Sequence, residues 1–156
     1  MVRLGMSQGT RTMHVVAAIL KHKGDQVITV DPMLPIPRVL DKMVEHGIGA
    51  VVVLDDAGRL CGIVSERDIV RGLASSGANA LEMTASQLMT RDLQVAHRHT
   101  TVVEAMTMMT IGRFRHLPVM EGNTLVGLIS IGDVVKARVM EQEQEVDSLR
   151  AYVGSA

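Results

Sequence analysis

The sequence predicts an α+β fold made of two tandem β-α-β-β-α repeats. Three observations carry that prediction. Residues 27–74 and 93–139 align with each other in one register. Each copy alternates short β-branched runs with runs of helical period. The chain has 156 residues, 47% of them apolar. That is enough for one sizeable core, whereas a single copy of under 50 residues buries too little surface to be comfortable alone. Two copies packed sheet to sheet would share a core.

The internal alignment is specific. At an offset of 66, Ile36 matches Val102, Val39 matches Ala105, Met43 matches Met109 and Val53 matches Val119. One residue is lost in the following turn and the offset becomes 65. Leu60 then matches Leu125, Gly62 matches Gly127, Ser65 matches Ser130 and Asp68 matches Asp133.

The elements follow in order. Val27–Val30 is a β-branched strand closed by the turn pair Asp31-Pro32. A helix is expected over Ile36–His46, because Ile36, Val39, Leu40 and Met43 share one face. Ala50–Leu54 is an apolar strand, Asp55-Asp56-Ala57-Gly58 a hairpin turn and Leu60–Val64 the return strand. Ser65 opens a helix to about Ser75, and Ser75–Glu82 is a linker. The second copy repeats this as a strand at Leu93–Ala96, a helix at Thr101–Gly112, a strand at His116–Met120, a turn, a strand at Leu125–Ile129 and a final helix from Ile131. The chain thus divides into an N-terminal extension (1–13), a first repeat (14–80), a second repeat (81–140) and a C-terminal helical extension (141–156). Along the last helix Val135, Val139, Val146, Leu149 and Val153 form an apolar stripe beside a Glu/Gln-rich stretch. It packs either on its own domain or on a second copy of the chain.

Composition excludes several functions. There is one Phe (Phe114), one Tyr (Tyr152) and no Trp, with 12 Met taking up some of the volume. Two rings cannot build a stacking platform for single-stranded nucleic acid or an aromatic cage for a quaternary ammonium. Sixteen basic and 17 acidic residues give a net charge of −1, which argues against a phosphate-backbone binder. No nucleic-acid partner is therefore expected. Cys61 is the single cysteine, so it forms no internal disulfide and reads as a small buried hydrophobe. The longest N-terminal apolar run, Val15–Leu20, is too short for a signal peptide, and no stretch reaches the length of a membrane span. A cytoplasmic protein without membrane contact is expected.

The six His residues include the pair His97 and His99, but none lies in a metal-ligand spacing such as HExxH. No metal site or catalytic cofactor is expected. Met106, Met108 and Met109 read as core filling. Ser65 lacks a nucleophile-elbow context, and no base or nucleophile supports a hydrolase.

Two stretches close the repeats in the same way: Gly62-Ile63-Val64-Ser65-Glu66-Arg67-Asp68 and Gly127-Leu128-Ile129-Ser130-Ile131-Gly132-Asp133. The second copy also carries Arg115-His116-Leu117-Pro118-Val119 in its middle strand. With these motifs in register, residues 14–140 resemble the CBS-domain pair, or Bateman module, and look like its stand-alone bacterial type. The resemblance implies two repeats related by a pseudo-two-fold axis and a homodimer in the form of a flat disc. It implies a regulatory function without catalysis, exerted on an unknown partner protein. It also implies an adenosine-containing ligand, such as AMP, ADP, ATP, NAD(H) or S-adenosylmethionine, in clefts between the repeats.

The same resemblance sets the site. Each cleft would join one repeat's helix start to the other repeat's first strand. Ser65 and Asp68 would face Gln94 and Val95, and Ser130 and Asp133 would face Ile28 and Thr29. Gly49-Ala50 and Arg115-His116, with Leu117, hold the equivalent middle-strand positions. A carboxylate can accept hydrogen bonds from both ribose hydroxyls, and a helix N-terminus favours phosphate. Arg67 and Arg115 add cationic grip. The residue types leave a second reading open, because Ser-x-x-Asp before an amphipathic run is also a capping box. A structural or dimerisation module with no nucleotide ligand is the corresponding alternative. Gly132 stands where the first motif has Arg67, and Gly49-Ala50 where the second repeat has Arg115-His116. The two clefts should therefore bind unequally.

Overall fold

A computed structural model describes residues 14–154; the N-terminal extension 1–13 lies outside them. The order is α1 (Val16–Lys23), β1 (Thr29–Val30), α2 (Ile36–His46), β2 (Ala50–Leu54), β3 (Leu60–Ser65), α3 (Glu66–Ser76), a 3₁₀ turn (Gly77–Glu82), α4 (Ala85–Leu88), α5 (Val102–Gly112), β4 (His116–Glu121), β5 (Thr124–Ser130) and α6 (Ile131–Gly154). The first half is a β-α-β-β-α unit, and the second repeats that order with its first strand reduced to a single bridge.

In the first half β2 is central, parallel to β1 and antiparallel to β3. Its alternation separates two cores. Val51 and Val53 face a cluster with Ile36, Val39 and Met43 of α2 and Ile69 of α3. Ala50 and Val52 face the other half, where Leu93, Leu125 and Leu128 join them. In the second half Leu117, Val119 and Ile129 pack on Val102, Ala105 and Met109 of α5 and Val134 of α6. The pseudo-symmetry reaches small details: both hairpins shift register at equivalent points, Val53/Leu54 and Val119/Met120.

Two expected strands are shorter than their apolar runs. Val27 turns into the central cluster, so the first strand keeps only Thr29 and Val30. The expected strand Leu93–Ala96 reduces to one parallel bridge between Ala96 and Val119. Leu93 is drawn into the central cluster, and the ladder closes only at Ala96, where Ala96 N–H donates to Pro118 O and Met120 N–H donates to Ala96 O. The expected linker is ordered, its 3₁₀ turn burying Ala80 completely.

The helices that precede each repeat pack on the other one. Val16, Ile19 and Leu20 of α1 lie in the core of the second half. Ala85 and Met89, at α4, lie in the core of the first. Matching bridges fasten them, Val15 to Thr101 and Pro35 to Thr84. Each buried aliphatic side chain of this kind stabilises by about 1.5–3 kcal/mol, so the two halves hold each other's lids.

The C-caps of α2 and α5 differ in residue and agree in shape. Gly47 is left-handed at φ 61°, and Arg113 takes the equivalent position at φ 55°. A non-glycine residue there costs about 1–2 kcal/mol.

Candidate functional site

Both Ser-x-x-Asp motifs are capping boxes. Ser65 N–H donates to Asp68 Oδ2 at 2.8 Å, and the Ser65 hydroxyl donates to the same oxygen at 2.9 Å. Ser130 N–H donates to Asp133 Oδ2 at 2.8 Å, and Asp133 N–H donates back to Ser130 Oγ at 3.1 Å. Each pair satisfies donors at the first turn of its helix.

Each aspartate also has a long-range partner that motif reading missed. The Thr90 hydroxyl donates to Asp68 Oδ1 at 2.7 Å. The Lys23 ammonium donates to Asp133 Oδ2 at 2.7 Å and to Leu128 O at 3.0 Å. Thr90 and Lys23 play equivalent parts, since each comes from the segment just before a repeat and clasps the other repeat's aspartate. Thr90 is 22 residues from Asp68 and Lys23 is 110 from Asp133, so no local pattern announces either.

These partners make the two aspartates unequal. Asp68 is 9% exposed, and three of its roughly four acceptor positions are in use. Asp133 is more open. Burial pushes its carboxyl up, but the Lys23 ammonium and Ser130 N–H outweigh burial and hold it below the usual carboxylate value. The stability this contributes is present above about pH 3.8 and is lost as pH falls further.

A cavity of about 300 Å³ opens beside Asp68. Its walls come from both repeats: Ser65, Arg67 and Arg71 from the β3–α3 junction and α3, and Gln94, Arg113 and Arg115 from the second. Gly49, Ile63, Leu93, Phe114 and His116 also line it. Gly49 O accepts the Glu66 N–H, which fixes the start of α3 against the strand edge; Arg115 O accepts the Ile131 N–H in the same way. The structure therefore gathers Gly49, Ser65, Arg67, Asp68, Gln94, Arg115 and His116 of the expected residues. Val95 is not among the lining residues. Leu117 is wholly buried in the second core, because strand alternation turns it away from His116, and it does not line the cavity. Ala50 faces the central cluster. Ile28 and Thr29 lie at β1, where Ile28 O accepts the Val52 N–H and Thr29 pairs with Val52, outside this cavity. Arg115 and His116 both line the Asp68 cavity. Arg71 and Arg113 had no motif to single them out.

His116 pairs with Ser130 across the hairpin and feels both motifs. Burial lowers its pKa below 6.5, outweighing Glu66 and Asp133, which raise it; Lys23 and Arg115 lower it further. An unfolded chain takes up this proton near pH 6.5 while the folded chain refuses it. The resulting stability is full above that pH and declines as pH falls. The Tm should drop between pH 7.5 and pH 5.5, and His116→Asn should lessen the drop. An equal drop in both proteins would refute this.

Among the described residues no group of three or more His, Cys, Asp or Glu is placed to hold a metal ion, and no helix is long and apolar enough to cross a membrane.

Comparison with known proteins agrees with the geometry. The family model for the CBS domain matches twice, at residues 16–75 and 85–140. A mitochondrial CBS-domain-containing protein of Arabidopsis thaliana is 36% identical over 115 residues, covering 71% of this chain and 56% of that protein. The crystal structure of a CBS-domain-containing protein of Agrobacterium tumefaciens superimposes with a TM-score of 0.80 at 43% identity, covering 85% of this chain and 97% of that one. A CBS domain pair solved with 5′-methylthioadenosine and S-adenosyl-L-methionine shares the fold, with a TM-score of 0.70 at 24% identity, covering 78% and 93%.

Proposed function

The chain belongs to the CBS-domain family, and from that premise we propose that it is a non-enzymatic regulatory module. It binds an adenosine-containing ligand (AMP, ADP, ATP or NAD(H)) between its repeats. The observation that carries this is the cavity joining Ser65 and Asp68 of one repeat to Gln94, Arg115 and His116 of the other. Its volume, about 300 Å³, is at the lower end for small-molecule sites. A pair of the same fold accommodates adenosyl ligands.

On this reading Ile63, Leu93 and Phe114 grip the base, and the remaining acceptor position of Asp68 takes one ribose hydroxyl. The first turn of α3 and the arginines meet the phosphate. The Asp133 cleft, with Ser130 facing Ile28 and Thr29, is the weaker site, because Lys23 already occupies the carboxylate. Ligand shifts the packing of the two halves, and so the state of a partner protein, only by its difference in affinity for the two arrangements.

A thermal-shift screen over AMP, ADP, ATP, NADH and S-adenosylmethionine tests this. Free ligand at about 100 times Kd adds about 2.7 kcal/mol of stability. Stabilisation by at least one adenine nucleotide is the expected result, and no shift with any of them overturns the proposal.

One observation favours a second reading, a dimerisation module without nucleotide: both aspartates are occupied within capping boxes. The exposed stripe Val135, Val139, Val146, Leu149 and Val153 on α6 suits a homodimer on either reading. A protein that sediments as two chains and gives no thermal shift would establish the second.

A further inference from the structure

The first repeat caps α2 with Gly47, which reaches the left-handed region freely. The second caps α5 with Arg113 in the same conformation, where an L-residue is strained. Capping does not require that arginine, since glycine does the job in the equivalent place. What Arg113 adds is position. It lines the Asp68 cavity, and its carbonyl accepts a hydrogen bond from Arg67 Nη1 at 3.1 Å across the junction of the repeats.

Arg113 is one of four. Arg67 and Arg71 stand one turn apart on α3, and Arg115 follows two residues after Arg113; all four line the cavity and are exposed. Among the described residues none of the four lies within ion-pair distance of a carboxylate. The acidic residues of the same wall are Glu66, Asp68 and Asp92, of which Asp68 is already taken by Ser65 and Thr90. Four unpaired guanidiniums converging on one opening repel one another until an anion joins them, and a guanidinium fork matches phosphate oxygens in pairs.

We infer that this cleft selects ligands with two or more linked phosphates, and that Arg113 is the residue that sets this preference. The inference rests on the adenosine reading for the base, and on the arginine cluster alone for the phosphates. Each added phosphate brings further anionic oxygens to the four guanidiniums, whereas a monophosphate leaves most of them without a partner. S-adenosylmethionine, with its cationic sulfonium, is disfavoured.

Calorimetric titration of the full chain with adenosine, AMP, ADP and ATP, together with thermal shifts in inorganic phosphate and tripolyphosphate, tests this. Affinity should rise at least about tenfold from AMP to ADP or ATP. Arg113→Gly should remove most of that step, weakening ADP and ATP by a clearly larger factor than AMP or adenosine. Its Tm without ligand should equal or exceed that of the parent, which separates lost binding from lost fold. Arg113→Lys, which keeps the charge but not the fork, should fall between. Equal affinity for AMP and ATP, or an unchanged ratio in Arg113→Gly, overturns the inference. If no adenine compound binds but tripolyphosphate gives an Arg113-dependent shift, the adenosine reading fails and the phosphate site stands. If tripolyphosphate and every nucleotide leave the Tm unmoved, both fail.

Discussion

Gly62→Ala is expected to lower the free energy of unfolding by about 2–3 kcal/mol, near the upper end for overpacking a close contact. A methyl group at position 62 would stand 2.7 Å from Thr90 O and 2.7 Å from Met89 Sδ. The obstacle is backbone. Thr90 cannot retreat without breaking its reciprocal bonds with Ile63, N–H to O at 3.1 and 2.8 Å, and with them its hydroxyl contact to Asp68. Gly127 is the equivalent residue, but a methyl there meets the side chain of Leu20 at Cδ2 and Cδ1. A leucine end can turn, although Leu20 is buried and has little room. Gly127→Ala should therefore cost about 1 kcal/mol, clearly less than Gly62→Ala. Urea unfolding of the two variants measures the difference; equal costs, or the reverse order, would show that the Thr90 contact is not the rigid one. The glycine that opens each closing motif thus has a packing reason: it admits the segment that clasps the aspartate six residues later.

Asp68→Ala should cost about 2–4 kcal/mol, because it strips the acceptor from the Ser65 N–H, the Ser65 hydroxyl and the Thr90 hydroxyl in a nearly buried place. Asp133→Ala should cost about 1–2 kcal/mol, since it removes a cap and an ion pair whose lysine is over one-third exposed. On the proposed function the Asp68 variant also loses nucleotide affinity, measured by titration well below its Tm, while the Asp133 variant keeps most of it. Equal stability losses in the two variants would mean that the Thr90 contact adds nothing; full nucleotide affinity in Asp68→Ala would remove Asp68 from the site. Asp68→Asn keeps one acceptor oxygen and should lie between Asp68→Ala and the parent in both measurements.

The parts of the fold legible in the sequence are those with local signals. Ile36–His46 and Ala50–Leu54 are found where periodicity and the Asp55–Gly58 turn place them. Asp55 makes that turn as its type predicts, its carboxylate accepting the N–H groups of Ala57 and Arg59. Helix α1 has Val16, Ile19 and Leu20 at helical spacing but only eight residues and no side-chain cap, so its signal is weak. Helix α4 has a Thr84–Gln87 capping box but only four residues. Both exist because a hydrophobic face waits for them in the other repeat. At the site, Ser65 and Asp68 are legible because a cap is a local device. Thr90, Lys23, Arg71 and Arg113 are not, because their roles depend on how two distant segments cross.

The exchange of α1 and α4 between the halves also orders events during synthesis. Helix α1 leaves the ribosome before the surface it covers, built from Leu117, Ile129 and α6, has been made. Lys23 waits for Asp133, 110 residues behind it. The first half can close once Met83–Met89 has emerged, whereas α1 stays uncovered until β4, β5 and α6 are made. Long-range closures of this kind are slow, and apolar segments left open meanwhile invite the wrong partner. Cutting the chain between the repeats would therefore not yield two smaller copies of the fold: the N-terminal piece would carry a helix with nothing to cover, and the C-terminal piece would lack its lid.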